Sequence, residues 1–467
     1  MEKSHVGLIG LGVMGAHLAR NLGDKRYTLS VYNRTAHKTE EFLKNYGSRY
    51  IQGFTDLDSF VESLELPRKI IVLVQAGTAV DDVIHSLEGL VSAGDIIMDF
   101  GNSHFRDTQK RCELLKKKEV HFMGCGISGG EEGALHGASI MPSGSRESWK
   151  DVSALLEAVS AKDFEGKPCA TYVGENGAGH YVKMVHNGIE YAIMQLMAEV
   201  YDILRTILHF DALQVAAFFE DFNAQYNRGF LTEIAVHVLR QKDTFNDGHL
   251  IDFISDRAEQ KGTGRWTVID ALERGVAVPT IMEAVNARIV SGDTQRRESL
   301  SGRYPSRGGE IGESDGGISA LHDALYFGMI VSYLQGYDLM KKASADEKWN
   351  IDLSEIFRIW QGGCIIRSDF LKNMQDALKA TRGGDVYMND SIVKDLSGKS
   401  ESVKKVLTAA IQCDVPSAAL MSTLAHMNSV GSKRLPTHFI QGLRDFFGAH
   451  TYERTDRSGV FHAEWNR

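Results

Sequence analysis

The segment "HVGLIGLGVMGAHLARNLGDK" constrains the fold of this chain more than any other. Residues 5–10 read as a short buried strand and residues 11–25 as a helix. Between them Gly10, Gly12 and Gly15 make the spacing G-x-G-x-x-G. The first glycine permits a tight turn, the second lets a pyrophosphate approach the backbone, and the third lets helix and strand touch. The helix N-terminus favours an anion. A second strand, 27–35, follows at the distance a dinucleotide-binding unit requires.

Further strands near 68–77, 94–102 and 119–130 alternate with helical segments. That alternation predicts a parallel sheet covered on both faces, up to about residue 177. Beyond it the strand pattern fades. Residues 177–208 read as one long helix with Gly188 inside it, which points to close packing or a ligand there. Helices are expected around 211–220, 229–242, 250–261, 279–291, 317–341, 353–362, 367–379 and 388–427. The stretch 291–317 is polar and glycine-rich and reads as an exposed or poorly ordered loop. The expected architecture is an α/β Rossmann-like N-terminal domain (1–177), a large all-α domain (178–434) and a C-terminal tail (435–467) with little core of its own.

The end of the second strand bears on which dinucleotide. An NAD binder usually places an acid there for the ribose hydroxyls. Here Asn33, Arg34 and Thr35 stand in its place, and an arginine can pair with a 2′-phosphate. That favours NADP.

One stripe carries candidate chemistry. In "KMVHNGIE", Lys183, His186, Asn187 and Glu190 fall on one helix face. Either it faces water, or it faces something that needs a base, an acid and an amide. Val182, Met184, Val185 and Ile189 flank it and leave little circumference for solvent. A buried lysine can lose its proton near neutral pH and then accept one from a hydroxyl, while a glutamate further along can act as an acid.

Bulk properties narrow the classes. A net charge of -9 argues against a general nucleic-acid binder. Neither a secretory signal nor a membrane span is expected, because residues 1–10 lack the charge pattern and no window holds about 20 consecutive apolar residues. Cys112, Cys125, Cys169, Cys364 and Cys413 form no C-x-x-C pair and read as reduced thiols of a cytoplasmic protein. No metal-ligand spacing is present, so no metal is expected.

The motifs "GLGVMG", "NRT", "DFGNS", "GISGGEEGA", "GAGHYVKMVHNGIEY", "QKGTGRWT", "CIIRSDFL" and "QGLRDFFGAHTYE", nearly end to end and in order, resemble the decarboxylating 6-phosphogluconate dehydrogenases. The resemblance implies Lys183 as general base and Glu190 as general acid. It implies cofactor contacts at Val13 and Met14 beside the three glycines, at the Asn33–Thr35 turn, and at Val74, Gln75, Ala76 and Asn102. Asn102 would also meet 6-phosphogluconate, with Ser128, Gly129, Gly130, His186 and Asn187 holding its carboxylate and hydroxyls. Tyr191, Lys261, Thr263 and Arg288 would bind its phosphate. A homodimer is implied in which Arg444 and His450 of one tail complete the partner's pocket. Two departures stand out: Gln75 where the family commonly has lysine, and Arg265 in "KGTGRW". The expected reaction is oxidative decarboxylation of 6-phosphogluconate to ribulose 5-phosphate. A non-decarboxylating β-hydroxyacid dehydrogenase and a silent NADP-binding sensor are the competing readings.

Overall fold

In the computed structural model, which describes residues 3–303, 317–381 and 384–465, strand and helix alternate up to residue 159. The elements are β1 (Val6–Ile9), α1 (Val13–Asp24), β2 (Leu29–Tyr32), α2 (Ala36–Tyr46), β3 (Ile51–Phe54), α3 (Leu57–Glu62) and β4 (Lys69–Val72). They continue with α4 (Thr78–Leu87), β5 (Ile96–Asp99), α5 (Phe105–Lys116), β6 (His121–Ser128), α6 (Gly130–His136), β7 (Ser139–Ser143) and α7 (Arg146–Val159). The seven strands form one sheet in the order β3-β2-β1-β4-β5-β6-β7. The first six pair in parallel, while β7 returns antiparallel to β6, which a purely parallel expectation did not include.

Alternate residues of the strands feed two cores, one on each face. Val6 and Leu8 join Leu18 and Leu22 of α1, whereas Ile9 joins Phe60, Ile84 and Leu87. The chain moves outward from β1 to β3 and returns to β4. A crevice therefore opens beyond the carboxyl ends of β1 and β4, where such sheets bind ligands.

Helices then take over: α8 (Ala178–Thr206), α9 (Ala212–Phe222), α10 (Phe230–Arg240), α11 (Thr263–Arg274), α12 (Pro279–Gly292) and α13 (Thr294–Leu300). After them come α14 (Ile318–Asp346), α15 (Leu353–Ile359), α16 (Phe370–Thr381), α17 (Asp390–Gln412) and α18 (Ala418–Val430). The two longest, α8 and α14, lie against each other at the centre, with Gly336 admitting Ile189 and Gly328 admitting Leu196. No helix of the described residues is long and apolar enough to cross a membrane.

Four expectations need correction. The helix expected over 250–261 is only a short 3₁₀ turn, Leu250–Phe253. The next helix, α11, starts at Thr263 because Gly262, at φ +97°, turns the chain into it. The helix expected over 388–427 is two helices, broken where Asp414 takes a positive φ and Pro416 offers no N–H. Within 291–317, Asp293 caps α13 by accepting from the Arg296 N–H; residues 304–316 lie outside the described residues. The tail also folds, as α19 (Thr437–Gly448) and a hairpin of β8 (Tyr452–Glu453) and β9 (Val460–Phe461). Its centre is polar: buried Asp445 accepts from the Thr451 and Ala463 N–H groups and from Trp465 Nε1, and lies 2.9 Å from His462 Nδ1.

Candidate active site

The glycine turn is built as its spacing predicts. Gly10 sits at φ +103°, and a Cβ on Gly15 would lie 1.9 Å from the Gly10 carbonyl. Gly12 caps α1 without a side-chain oxygen, and Val13 and Met14 occupy the first turn. Asn33 fastens this turn to the end of β2: its Oδ1 accepts from the Leu11 N–H at 3.0 Å and its Nδ2 donates to the Thr35 carbonyl. A cavity of about 330 Å³ opens here, lined by Gly10, Asn33, Arg34, Thr35, Val74 and Gln75. Lys38, on the first turn of α2, lines it too. Sequence reading passed over Lys38, although it follows Arg34 by four residues and puts a second cation on the same side. Two exposed cations beside an uncapped helix N-terminus suit a phosphorylated dinucleotide. Ala76 is half-buried on the loop after β4, and Asn102 stands exposed on the loop after β5.

Helix α8 lies directly on the end of the sheet. A Cβ on Gly126 of β6 would lie 2.5 Å from the Lys183 Cβ, so the glycine is what lets the lysine seat. Lys183 is 7% exposed, and burial lowers its pKa against the opposing pull of Glu190. Its Nζ lies 3.3 Å from His186 Nδ1. His186 is fully buried and held well below the usual imidazole range, first by burial and then by the lysine. Its Nε2 lies 2.9 Å from Ser128 Oγ and 3.0 Å from Cys364 Sγ. Ser128 Oγ accepts from the Ile365 N–H, which leaves its own proton for that imidazole nitrogen. Asn187 Oδ1 lies 3.1 Å from His186 Nδ1, and its Nδ2 donates to Thr263 Oγ1. Glu190 Oε2 lies 3.8 Å from His186 Nδ1; burial raises the carboxyl while Lys183 and Arg288 pull it down.

The stripe is therefore continuous, and Gly129 and Gly130 open α6 beside Ser128. Cys364 belongs to it, whereas the sequence offered it only as a small thiol. Gly188, the expected point of close packing, lies where α11 crosses: an added Cβ would meet Thr267 Cγ2 at 2.7 Å. Further along, the Arg288 guanidinium lies 3.5 Å above the Tyr191 ring. Thr263 is buried at the start of α11, and Lys261 stands exposed just before it. Arg288 and Tyr191 thus pair one residue past Glu190, while Thr263 meets the stripe at Asn187. Arg444 and His450 do not join them within one chain. Arg444 donates to Gln441, His450 packs edge-on to Phe447, and both are exposed.

A buried lysine and a carboxyl on one helix face, near a crevice lined by Arg34 and Lys38, suit an anionic polyol beside a dinucleotide. The comparisons agree. Residues 5–174 match the family described as the NAD binding domain of 6-phosphogluconate dehydrogenase, and residues 179–465 match its C-terminal domain. The decarboxylating 6-phosphogluconate dehydrogenase of Lactococcus lactis is 42% identical over 100% of this chain and 99% of its own. The NADP(+)-dependent, decarboxylating enzyme of Bacillus subtilis is 43% identical over the whole of both chains. The solved 6-phosphogluconate dehydrogenase of Plasmodium falciparum superposes with a TM-score of 0.95 at 38% identity, covering 99% of this chain and 100% of that one. The chain belongs to the 6-phosphogluconate dehydrogenase family.

Proposed function

We propose that Lys183 and Glu190 are the base and acid of this enzyme, an NADP-dependent oxidoreductase that decarboxylates 6-phosphogluconate. The observation that carries the assignment is the burial of Lys183, at 7% exposure, beside a neutral imidazole and a carboxyl on one helix face. NADP, when bound, supplies the hydride acceptor. Lys183, with its pKa lowered, takes the proton of the C3 hydroxyl. The ketone so formed lies β to the carboxylate, so carbon dioxide can leave. Lys183, now protonated, stabilises the oxyanion that develops. Glu190, with its pKa raised, protonates the carbon left behind and yields ribulose 5-phosphate.

Ser128, His186 and Asn187 hold the substrate's carboxylate and hydroxyls in this reading, with Gly129, Gly130 and Asn102 beside them. Tyr191, Lys261, Thr263 and Arg288 take the phosphate. The glycine turn, the Asn33–Thr35 turn and the Val74–Ala76 loop hold the dinucleotide. We read residues 1–177, 178–434 and 435–467 as the cofactor unit, the substrate and dimerisation unit, and an arm. The arm reaches a second copy and delivers Arg444 and His450. The bare apolar face of α19, with Phe439 66% and Phe447 69% exposed, supports that reading. Five free thiols fit a cytoplasmic enzyme.

The test is to follow NADPH and carbon dioxide together during turnover of 6-phosphogluconate. Equal release supports the assignment, and NADPH without carbon dioxide refutes it.

A further inference from the structure

The loops that follow β4 and β5 both lead to the cofactor crevice, and one buried guanidinium holds both. Arg111 lies on α5 with its side chain 4% exposed. Its Nη2 donates to the Gly77 carbonyl at 3.0 Å, at the end of the loop carrying Gln75 and Ala76. Its Nη1 donates to Ser103 Oγ at 3.2 Å, in the loop carrying Asn102. Asp99, fully buried at the end of β5, accepts from Ser103 Oγ at 2.6 Å, from the Gly101 N–H at 2.9 Å and from Arg111 Nη1 at 3.4 Å. The remaining arm, Nε, donates to Asp81 Oδ1 on the first turn of α4 at 2.7 Å. The loops themselves touch: a Cβ on Gly101 would lie 3.4 Å from the Val74 carbonyl. Apolar side chains could fill this space. A planar fork with donors in fixed directions does more, because it sets one loop relative to the other.

We propose that Arg111 is a positioning residue for the cofactor, setting the spacing between Gln75–Ala76 and Asn102 through Gly77 and Ser103. The proposal rests on the reading that those three residues face NADP. Among the described residues the Arg111 hydrogen bonds go to the two loops, to Asp99 and to Asp81 of α4. Its loss therefore loosens the crevice and leaves every direct cofactor contact in the chain.

The test is equilibrium binding of NADP to the full-length protein without substrate, by titration calorimetry. In Arg111→Lys and Arg111→Met the NADP affinity falls roughly tenfold, as expected when contacts are misplaced by a fraction of their length. Lysine fails to rescue, since one ammonium cannot span both loops. Binding of 6-phosphogluconate alone changes less than about twofold, because Asn102 is the one proposed substrate contact that lies in these two loops. Asp81→Asn alters only a partner that is 58% exposed, so the chain still folds, and it weakens NADP about threefold. Unchanged NADP affinity in Asp81→Asn and in the folded Arg111 variants overturns the proposal, and so does an equal loss for both ligands. Arg34→Ala is titrated alongside. If it loses NADP affinity while the Arg111 variants keep theirs, the cofactor assignments stand and the clamp is refuted. If Arg34→Ala also binds normally, the cofactor reading fails and the clamp with it.

Discussion

Lys183 Nζ lies 3.3 Å from His186 Nδ1, and both side chains are buried. Two cations cannot share such a space without large cost, so a neutral imidazole accompanies the lysine. The imidazole owes this state first to burial and then to the lysine itself. A neutral His186 is a fixed dipole, which fits the proposal that Lys183 and Glu190 carry the protons.

Lys183→Met should remove the base and leave cofactor binding intact. The expected loss in kcat is on the order of 10²–10⁴, the usual contribution of a positioned base. NADP titration should be unchanged. A near-normal rate in this variant would remove Lys183 from the mechanism.

The two pKa shifts also make a stability statement. Lys183 is lowered, so the unfolded chain binds more protons there, and the group costs stability at every pH below the ordinary lysine value. Glu190 is raised, so it costs stability at every pH above the ordinary glutamate value. At neutral pH both costs act together. Lys183→Met combined with Glu190→Gln should therefore melt no lower than the parent at pH 7, although it is inactive. A clearly lower Tm for the double variant would contradict the shifts.

Turnover should follow a bell-shaped pH profile. Lys183 moves down and Glu190 moves up, so the pair holds one exchangeable proton across the working range. Both limbs belong to the coupled pair. Glu190→Gln should flatten one limb of kcat/KM; two intact limbs in that variant would assign the acid elsewhere.

Arg34→Glu should move the cofactor preference from NADP toward NAD. Losing a charge-assisted contact to a 2′-phosphate costs about 1.5–3 kcal/mol, or roughly tenfold to a hundredfold in the ratio of kcat/KM values. Lys38→Ala should move it the same way by less. An unmoved ratio in Arg34→Glu would place the 2′-phosphate elsewhere.

A chain ending at residue 435 should keep most of its helical signal by circular dichroism and lose turnover, since Arg444 and His450 would be gone. Unchanged activity would show that the arm has no part in the site.

Much of this arrangement was legible in the residues because short-range rules carry it. The glycine spacing dictated a turn that the structure shows, with Gly15 against the Gly10 carbonyl. The apolar flanks of Lys183 foretold a buried face, since a helix hydrophobic on most sides is enclosed. What stayed hidden depends on distant neighbours. The edge strand β3 has only Ile51 buried, and β7 takes its order from pairing with β6. Cys364 reaches His186 across 178 residues of chain. The elements of the tail were hidden for another reason: with little apolar core, they are organised around one carboxylate. Burial alone would raise Asp445, yet His462, the Ala463 N–H and Trp465 hold it at about 2.

The seat of Lys183 on Gly126 has a practical consequence for anyone recombining relatives of this enzyme. The seam between the sheet and the helices is also the bed of the Lys183 amine, the proposed base. A crossover placed there would join a strand from one parent to a helix from another, and a single extra methyl on the strand would lift the amine off its mark. Hybrids should inherit β6 and α8 as one block, with their breakpoints elsewhere.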